Sequence, residues 1–403
     1  MFTFFAVAST PAACADEPRP PAVAREARLA GDAQRTRLIL DLDRATEFRA
    51  FTLANPPRVI LDLSDVTFAL KPDAAQLKRG LVAAYRFGVF APGKARMVLE
   101  VTGPVAIDKA FVLEALDDQP ARLVVDLVKT DPEAFARSIA SAAEQRTGLP
   151  ATPVTPAPAG DGRPVVVIDP GHGGIDSGTS GYSAFVEKTL VLETALALRD
   201  RLEKSGNYRV VLTRSTDTFV PLGERVRIAR ANRADLFLSL HADALARGDG
   251  QARGASVYTL SETASDADAA HLAEKENKAD LIAGVDLTDE TDEVAGILVD
   301  LAQRETRNFS AWFARTLVGS MKSATRMHRS PLKSAGFRVL RAHDVPSVLV
   351  ELGYMSSPDD LKQLASEAGR DRMAEAIAAG VTDFFARKSA GGHLVEEKGG
   401  AGR

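Results

Sequence analysis

From Val165 to Gly178 the chain reads V-V-V-I-D-P-G-H-G-G-I-D-S-G. Four apolar residues halted by Asp169-Pro170-Gly171 have the length and abrupt end of a fully buried strand. His172 follows in a glycine-rich loop, where Gly171, Gly173 and Gly174 permit backbone turns that other residues resist. A side chain just past the carboxyl end of a central strand stands where open α/β sheets place their ligands. A lone loop histidine is more often a solvated surface residue, so its weight depends on what accompanies it.

Downstream, strand-like and helical patterns alternate. Strands are expected at 165–169, 208–213, 235–241, 255–260, 337–340 and 347–352, and helices at 185–204, 222–234, 264–283, about 292–327, 358–366 and 369–387. Such alternation implies an α/β domain, a mostly parallel sheet flanked by helices. Three further side chains join His172 in it. Glu187 opens the first helix and shares a face with Leu190, Val191, Thr194 and Leu198, so it points inward at the first turn. A first-turn carboxylate is usually only a favourable charge, but an inward one needs a partner or a cation. His241 ends 235–241, and if that strand neighbours the first, both imidazoles emerge at one sheet edge. A His, Glu, His set leaves one position of a tetrahedral zinc site open. Glu351 terminates the apolar run 347–351, where it either caps the next helix or takes a proton from water.

The blocks V-V-I-D-P-G-H-G-G-I-D-S-G, Glu187, S-L-H-A-D and V-P-S-V-L-V-E-L-G-Y-M-S-S resemble, in order, the zinc-dependent N-acetylmuramoyl-L-alanine amidases of the cell-separation type. The resemblance implies that His172, Glu187 and His241 hold one Zn2+ and that Glu351 is the catalytic glutamate. It implies hydrolysis of the amide between muramic acid and L-alanine of the peptidoglycan stem peptide, with zinc polarising the carbonyl and activating the water. It also bears on residues 264–304, which exceed what a minimal fold needs. They are either a solvated helix with an acidic loop, or the insertion by which cell-separation members close their own groove. In the second case a glutamate occupies the zinc until an activator protein of the division machinery displaces it. Glu276 is the expected residue, with Glu274, Glu290 and Glu293 as rivals.

The N-terminal half contains an internal repeat. R-L-I-L-D-L (37–42) and R-V-I-L-D-L (58–63) are echoed by R-M-V-L-E-V (96–101) and R-L-V-V-D-L (122–127), with further strand-like runs at 47–53 and 105–113. Apolar residues alternating with Arg, Asp and Glu predict a small antiparallel sandwich over 35–130. It contains no histidine and resembles the AMIN-like domain that targets such amidases to peptidoglycan and the septum. Residues 16–34 read as polar and loose, 131–147 as a short helix, and Gly148 to Pro164 as a Pro/Ala-rich linker closing 131–164. The catalytic domain then spans 165–388, and the glycine-rich tail 389–403 is expected to be disordered.

The 403 residues are 45% hydrophobic with net charge −4, which argues against a nucleic-acid surface. No apolar run reaches the roughly 18 residues of a membrane span. Residues 1–15 end in Ala13-Cys14-Ala15, an A-x-A-like cleavage site without a positive n-region, so an exported, periplasmic protein is expected, a lipidated Cys14 being the rival. Cys14 is the only cysteine, so cleavage after Ala15 would leave a mature chain with none, which excludes disulfides and cysteine metal ligands. Arg225 and Asn232 read as packing or capping groups, and His271 and His328 as helix-surface residues. Two other functions compete: a zinc carboxypeptidase-like peptidase, and a non-catalytic wall-binding scaffold.

Overall fold

The computed structural model describes residues 20–71, 78–145, 161–179, 185–244, 253–285 and 298–399. The expected export segment, most of the linker, and Glu290 and Glu293 lie outside the described residues.

The N-terminal half is a two-sheet sandwich. Strands β1 (Ala22–Gly31), β2 (Arg35–Leu42), β3 (Phe48–Leu53), β4 (Arg58–Ser64), β5 (Val66–Phe68), β6 (Val82–Ala91), β7 (Lys94–Val101), β8 (Val105–Leu113) and β9 (Ala121–Lys129) precede helix α1 (Pro132–Gln145). One sheet has the order β5-β1-β2-β9-β8 and the other β3-β4-β7-β6. The four repeat segments become the two central antiparallel pairs, β2 with β9 and β4 with β7. Their arginines and acids meet in register: Arg37 faces Asp126, Asp41 faces Arg122, Asp62 faces Arg96 and Arg58 faces Glu100. A one-residue slip would turn every apolar side chain outward, so the motif sets register twice, by burial and by charge. The sandwich begins earlier than residue 35, because β1 pairs along β2 and buries Ala22, Ala24 and Ala27. Those alanines carry too little apolar area to stand out in a stretch otherwise rich in Pro and charge.

The C-terminal half contains β10 (Val165–Pro170), α2 (Glu187–Lys204), β11 (Arg209–Leu212), α3 (Leu222–Ala231), β12 (Leu236–His241), β13 (Ala255–Leu260), α4 (Ala267–Glu276), α5 (Ala279–Ile282), α6 (Leu298–Met321), β14 (Met327–Ala335), β15 (Ser347–Glu351), α7 (Pro358–Ala365) and α8 (Glu367–Gly399). The sheet order is β11-β10-β12-β15-β13-β14. β10, β11, β12 and β15 run parallel, and β13 enters antiparallel to β15. Successive residues of the central strands feed opposite cores. Val166, Ile168, Leu238 and Val350 pack with α2, α6 and α8, whereas Val167, Phe237 and Leu349 pack with α3 and α4. Burial on both faces explains why these strands read as unbroken apolar runs. Among the described residues no helix is long and apolar enough to cross a membrane.

Several expectations are corrected. The run 337–340 is a buried 3-10 turn at Arg338–Leu340 rather than a strand. The edge strand β14 was not expected: it begins where the helix read over about 292–327 was to end, and that helix in fact stops at Met321. β14 contains Pro331, which breaks the strand signal and is tolerated because β14 is an edge. His328 is therefore a buried strand residue, its Nδ1 accepting the Ser330 N–H at 3.1 Å, and not a helix-surface one. Residues 264–283 form two helices, separated where the Asn277 side chain donates to the Gly336 carbonyl and accepts from the Arg338 N–H. The tail is not uniformly irregular: α8 continues through Gly399, its glycines costing about 1 kcal/mol each relative to alanine.

The Arg37 hydrogen bonds hold the Asp126 carboxyl below its usual pKa, an effect that exceeds the opposing effect of burial. A carboxyl depressed by folding stabilises above its unfolded pKa of about 3.9 and loses that contribution as pH falls through the folded value. Thermal unfolding followed between pH 7 and pH 2 should show the sandwich losing stability below about pH 4, with a smaller acid-side loss in Asp126→Asn.

Candidate metal centre

Strands β10 and β12 are adjacent and parallel, so the residues that follow them emerge together. His172 lies two residues past β10 in the left-handed region, with φ 58°. Its loop is clasped by two buried arginines. Arg225 donates to Asp169 Oδ1 at 2.7 Å and to the carbonyls of Pro170 and His172 at 2.9 and 2.8 Å. Arg214 donates to the carbonyls of Pro170 and Gly171 at 2.9 and 2.8 Å. Asp169 also accepts from Thr213 and Ser239. Removing one partner of such a buried pair typically costs about 3–5 kcal/mol. Arg225 thus packs as the sequence suggests, and it also fixes the carbonyl of His172 itself.

Two glycines are required by close approach. A Cβ on Gly171 would lie 2.4 Å from the His241 ring, and one on Gly178 would lie 2.6 Å from His172 and 2.7 Å from Glu187. Gly171 is therefore needed for the space it leaves rather than for an unusual turn. Glu187 opens α2 fully buried, accepting the N–H groups of Thr179 at 2.8 Å and Ala242 at 2.9 Å. His241 and Glu351 are register partners on β12 and β15. The Asp243 N–H donates to Glu351 Oε2 at 3.0 Å, while Oε1 has no hydrogen-bond partner among the described residues.

His172, Glu187 and His241 each offer a donor atom to one small volume. Glu187 Oε1 is 3.1 Å from His172 Nε2 and 3.4 Å from His241 Nδ1. Donors about 2.0–2.1 Å from a tetrahedral ion lie roughly 3.3–3.4 Å apart, so the spacing fits a small dication. Both nitrogens are buried and lack a hydrogen bond of good geometry. His172 Nδ1 donates to Asp176 Oδ2 at 2.9 Å, which turns Nε2 inward. Glu276, the last residue of α4, is also buried, with Oε2 3.4 Å from His172 Nε2 and 3.2 Å from His241 Nδ1. Glu274, its neighbour, is exposed and paired with Lys278.

The electrostatics of the cluster are those of a site awaiting positive charge. Asp176, Glu187, Asp243, Glu276 and Glu351 are all buried, and the nearest lysine is the half-buried Lys275, on Asp243 and Thr179. Burial raises the Glu351 carboxyl well above its usual pKa, helped by Asp243 and Glu187. Burial and Glu187 likewise raise Glu276. Burial disfavours charge on His172, yet Asp176, Glu187 and Glu276 outweigh it and hold its pKa well above normal. Burying an ion costs several kcal/mol against a folding free energy of about 5–15. A divalent cation would relieve every one of these shifts.

Acidic and imidazole groups gathered at the carboxyl ends of parallel strands, fitted to a small ion, define a candidate metal-dependent hydrolase. Residues 166–383 match the family model of the N-acetylmuramoyl-L-alanine amidases, and 26–127 match that of the AMIN domain. The chain is 35% identical over 365 residues to N-acetylmuramoyl-L-alanine amidase AmiC of Escherichia coli, spanning 87% of both chains. It is 34% identical to AmiC of Neisseria meningitidis, again over 87% of each. Similarity to AmiA of Escherichia coli, 42% over 225 residues, covers 56% of this chain and 77% of that one. The chain belongs to the N-acetylmuramoyl-L-alanine amidase family, and its reaction is cleavage of the bond between N-acetylmuramic acid and L-alanine in peptidoglycan. That membership decides among the three competing readings in favour of the amidase.

Asp176 and Lys275 were not singled out from the sequence. Asp176 had a signal: a metal-binding imidazole usually donates its other N–H to a carboxylate or carbonyl, and Asp176 lies four residues on. Lys275 had none beyond its place beside Glu276. Asp176→Ala should weaken binding of a divalent ion about 10–100-fold, read by calorimetric titration of metal-stripped protein.

Proposed function

We propose that this amidase is zinc-dependent and periplasmic, acts in daughter-cell separation and wall turnover, and is latent until an activator displaces its insertion. The observation that carries the reading is the convergence of Glu187 and Glu276 on the same two imidazole nitrogens. Zn2+ would be held by His172, Glu187 and His241, and when bound it supplies a Lewis acid and lowers the pKa of water toward neutrality.

The chain's own groups do the rest. Glu351 takes a proton from the attacking water on Oε1, while the Asp243 N–H holds Oε2 in place. A carboxyl whose burial favours the neutral form keeps that proton until the amide nitrogen can accept it. The C–N bond then breaks to leave the lactyl carboxylate on the glycan and the amine of L-alanine on the peptide. In the closed form Glu276 takes the ligand position that substrate needs, and Lys275 anchors the end of α4 through Asp243 and Thr179. The N-terminal sandwich serves as the targeting domain.

Sacculi incubated with the full chain, with and without chelator, test the chemistry. Peptides with free L-alanine amino termini should appear, stop on chelation and return with Zn2+. Glu351→Gln should slow hydrolysis about 10²–10⁴-fold with metal content retained; an unaltered rate would remove Glu351 from the mechanism. Glu276→Ala should raise the rate without activator by about 5- to 150-fold, the usual span of such couplings, and no rise would end the latency reading.

A further inference from the structure

The internal repeat builds two related outer faces on the sandwich, and they meet different fates. On the β2–β9 pair the Arg37 side chain is 48% exposed, whereas its repeat counterpart on the β4–β7 pair, Arg96, is 4% exposed. The second face is covered by the catalytic domain. Ile60, Phe90 and Val98 join Ile175, Phe219 and Ala283 in one apolar cluster, with the Phe90 and Phe219 rings stacked at 5.8 Å. The contact is close: the Ile175 N–H donates to the Val89 carbonyl at 3.2 Å, and a Cβ on Gly88 would lie 2.6 Å from Ile175.

The polar part of this contact falls on the insertion. Arg96, paired with Asp62 at 2.6 Å and lying over the Phe90 ring at 3.5 Å, donates to the carbonyls of Ala283 at 3.2 Å and Gly284 at 2.9 Å. Arg58 donates to the carbonyl of Leu281. These carbonyls lie at and just past the end of α5, where a helix leaves acceptors open to outside donors. Gly284 sits against Ile60 so closely that a Cβ would lie 2.6 Å from it. Between α5 and Glu276 only Asn277 and Lys278 intervene. Charged hydrogen bonds to the end of one short helix therefore act on the helix that carries the proposed plug.

We propose that the β4–β7 face of the N-terminal sandwich is a clamp that holds the insertion over the active site, so that opening the site requires this face to let go. The proposal rests on the reading of Glu276 as a plug. It makes the sandwich part of the latch as well as a targeting domain, with its β2–β9 face left outward. By linkage, whatever occupies the β4–β7 face favours the open enzyme, and an activator that lifts the insertion frees that face.

The test is amide hydrogen exchange and sacculus hydrolysis on the full chain, comparing the parent with Arg58→Ala/Arg96→Ala, with Phe90→Ala and with Glu276→Ala. Phe90→Ala leaves the Arg96–Asp62 pair in place, and circular dichroism with thermal unfolding confirms that each variant folds. Protection across 267–285 should fall at least tenfold in both clamp variants, with a several-fold rise in the rate without activator. Unchanged protection in both would overturn the clamp, as would a rate that rises in Glu276→Ala but in neither clamp variant. Should Glu276→Ala itself leave the rate unchanged, the plug reading fails, and exchange at 279–285 still judges the docking separately.

Discussion

Five carboxyl groups buried around two imidazoles are the constraint on which the rest of the catalytic domain depends. Water cannot stabilise them, and the half-buried Lys275 on Asp243 and a His172 whose pKa they raise offset only part of that charge. The surroundings read as the apparatus for sustaining that charge in one place. Arg225 and Arg214 clasp the loop that carries His172, whose own backbone is held in a region few side chains adopt. Backbone N–H groups of Thr179, Ala242 and Asp243 orient Glu187 and Glu351. A set of groups that repel one another in the absence of a cation becomes mutually supportive with one.

Glu276 belongs to the same account. An acid brought from a separate helix into a cluster already rich in acids keeps its charge only if a cation receives it; burial otherwise favours its neutral form. Under the proposed function its place there goes with a bound metal and a closed form of the enzyme. The opening free energy under this reading is spread over Glu276, Lys275, the Asn277 bridges and the contacts of α5 with the sandwich. Several weak holds of this kind can be released together by one partner that grips the insertion.

Legibility followed the range of the interactions. The apolar runs ending in Asp169, His241 and Glu351 were readable because burial on both faces leaves a continuous signature, and Glu187 because a helix repeats every 3.6 residues. β1 was missed because its buried residues are alanines, and β14 because Pro331 interrupts it at an edge where the missing N–H does no harm. The break between α4 and α5 depends on Asn277 meeting Gly336 and Arg338, 59 and 61 residues away in the chain. The roles of Arg225 and Asp176 likewise lie in which backbone or ring they reach.

By itself the sequence determined most of the elements and the side chains at their ends: two histidines after strands, a glutamate opening a helix, a glutamate closing a strand, and a fourfold repeat of Arg with Asp or Glu. These are local properties of periodicity and charge. Only the tertiary structure decided that β10 and β12 lie side by side, that Glu276 rather than Glu274 turns inward, and that one repeat face is buried while its twin stays open. Those outcomes depend on which surfaces meet across hundreds of residues, and no local pattern encodes a distance of that kind.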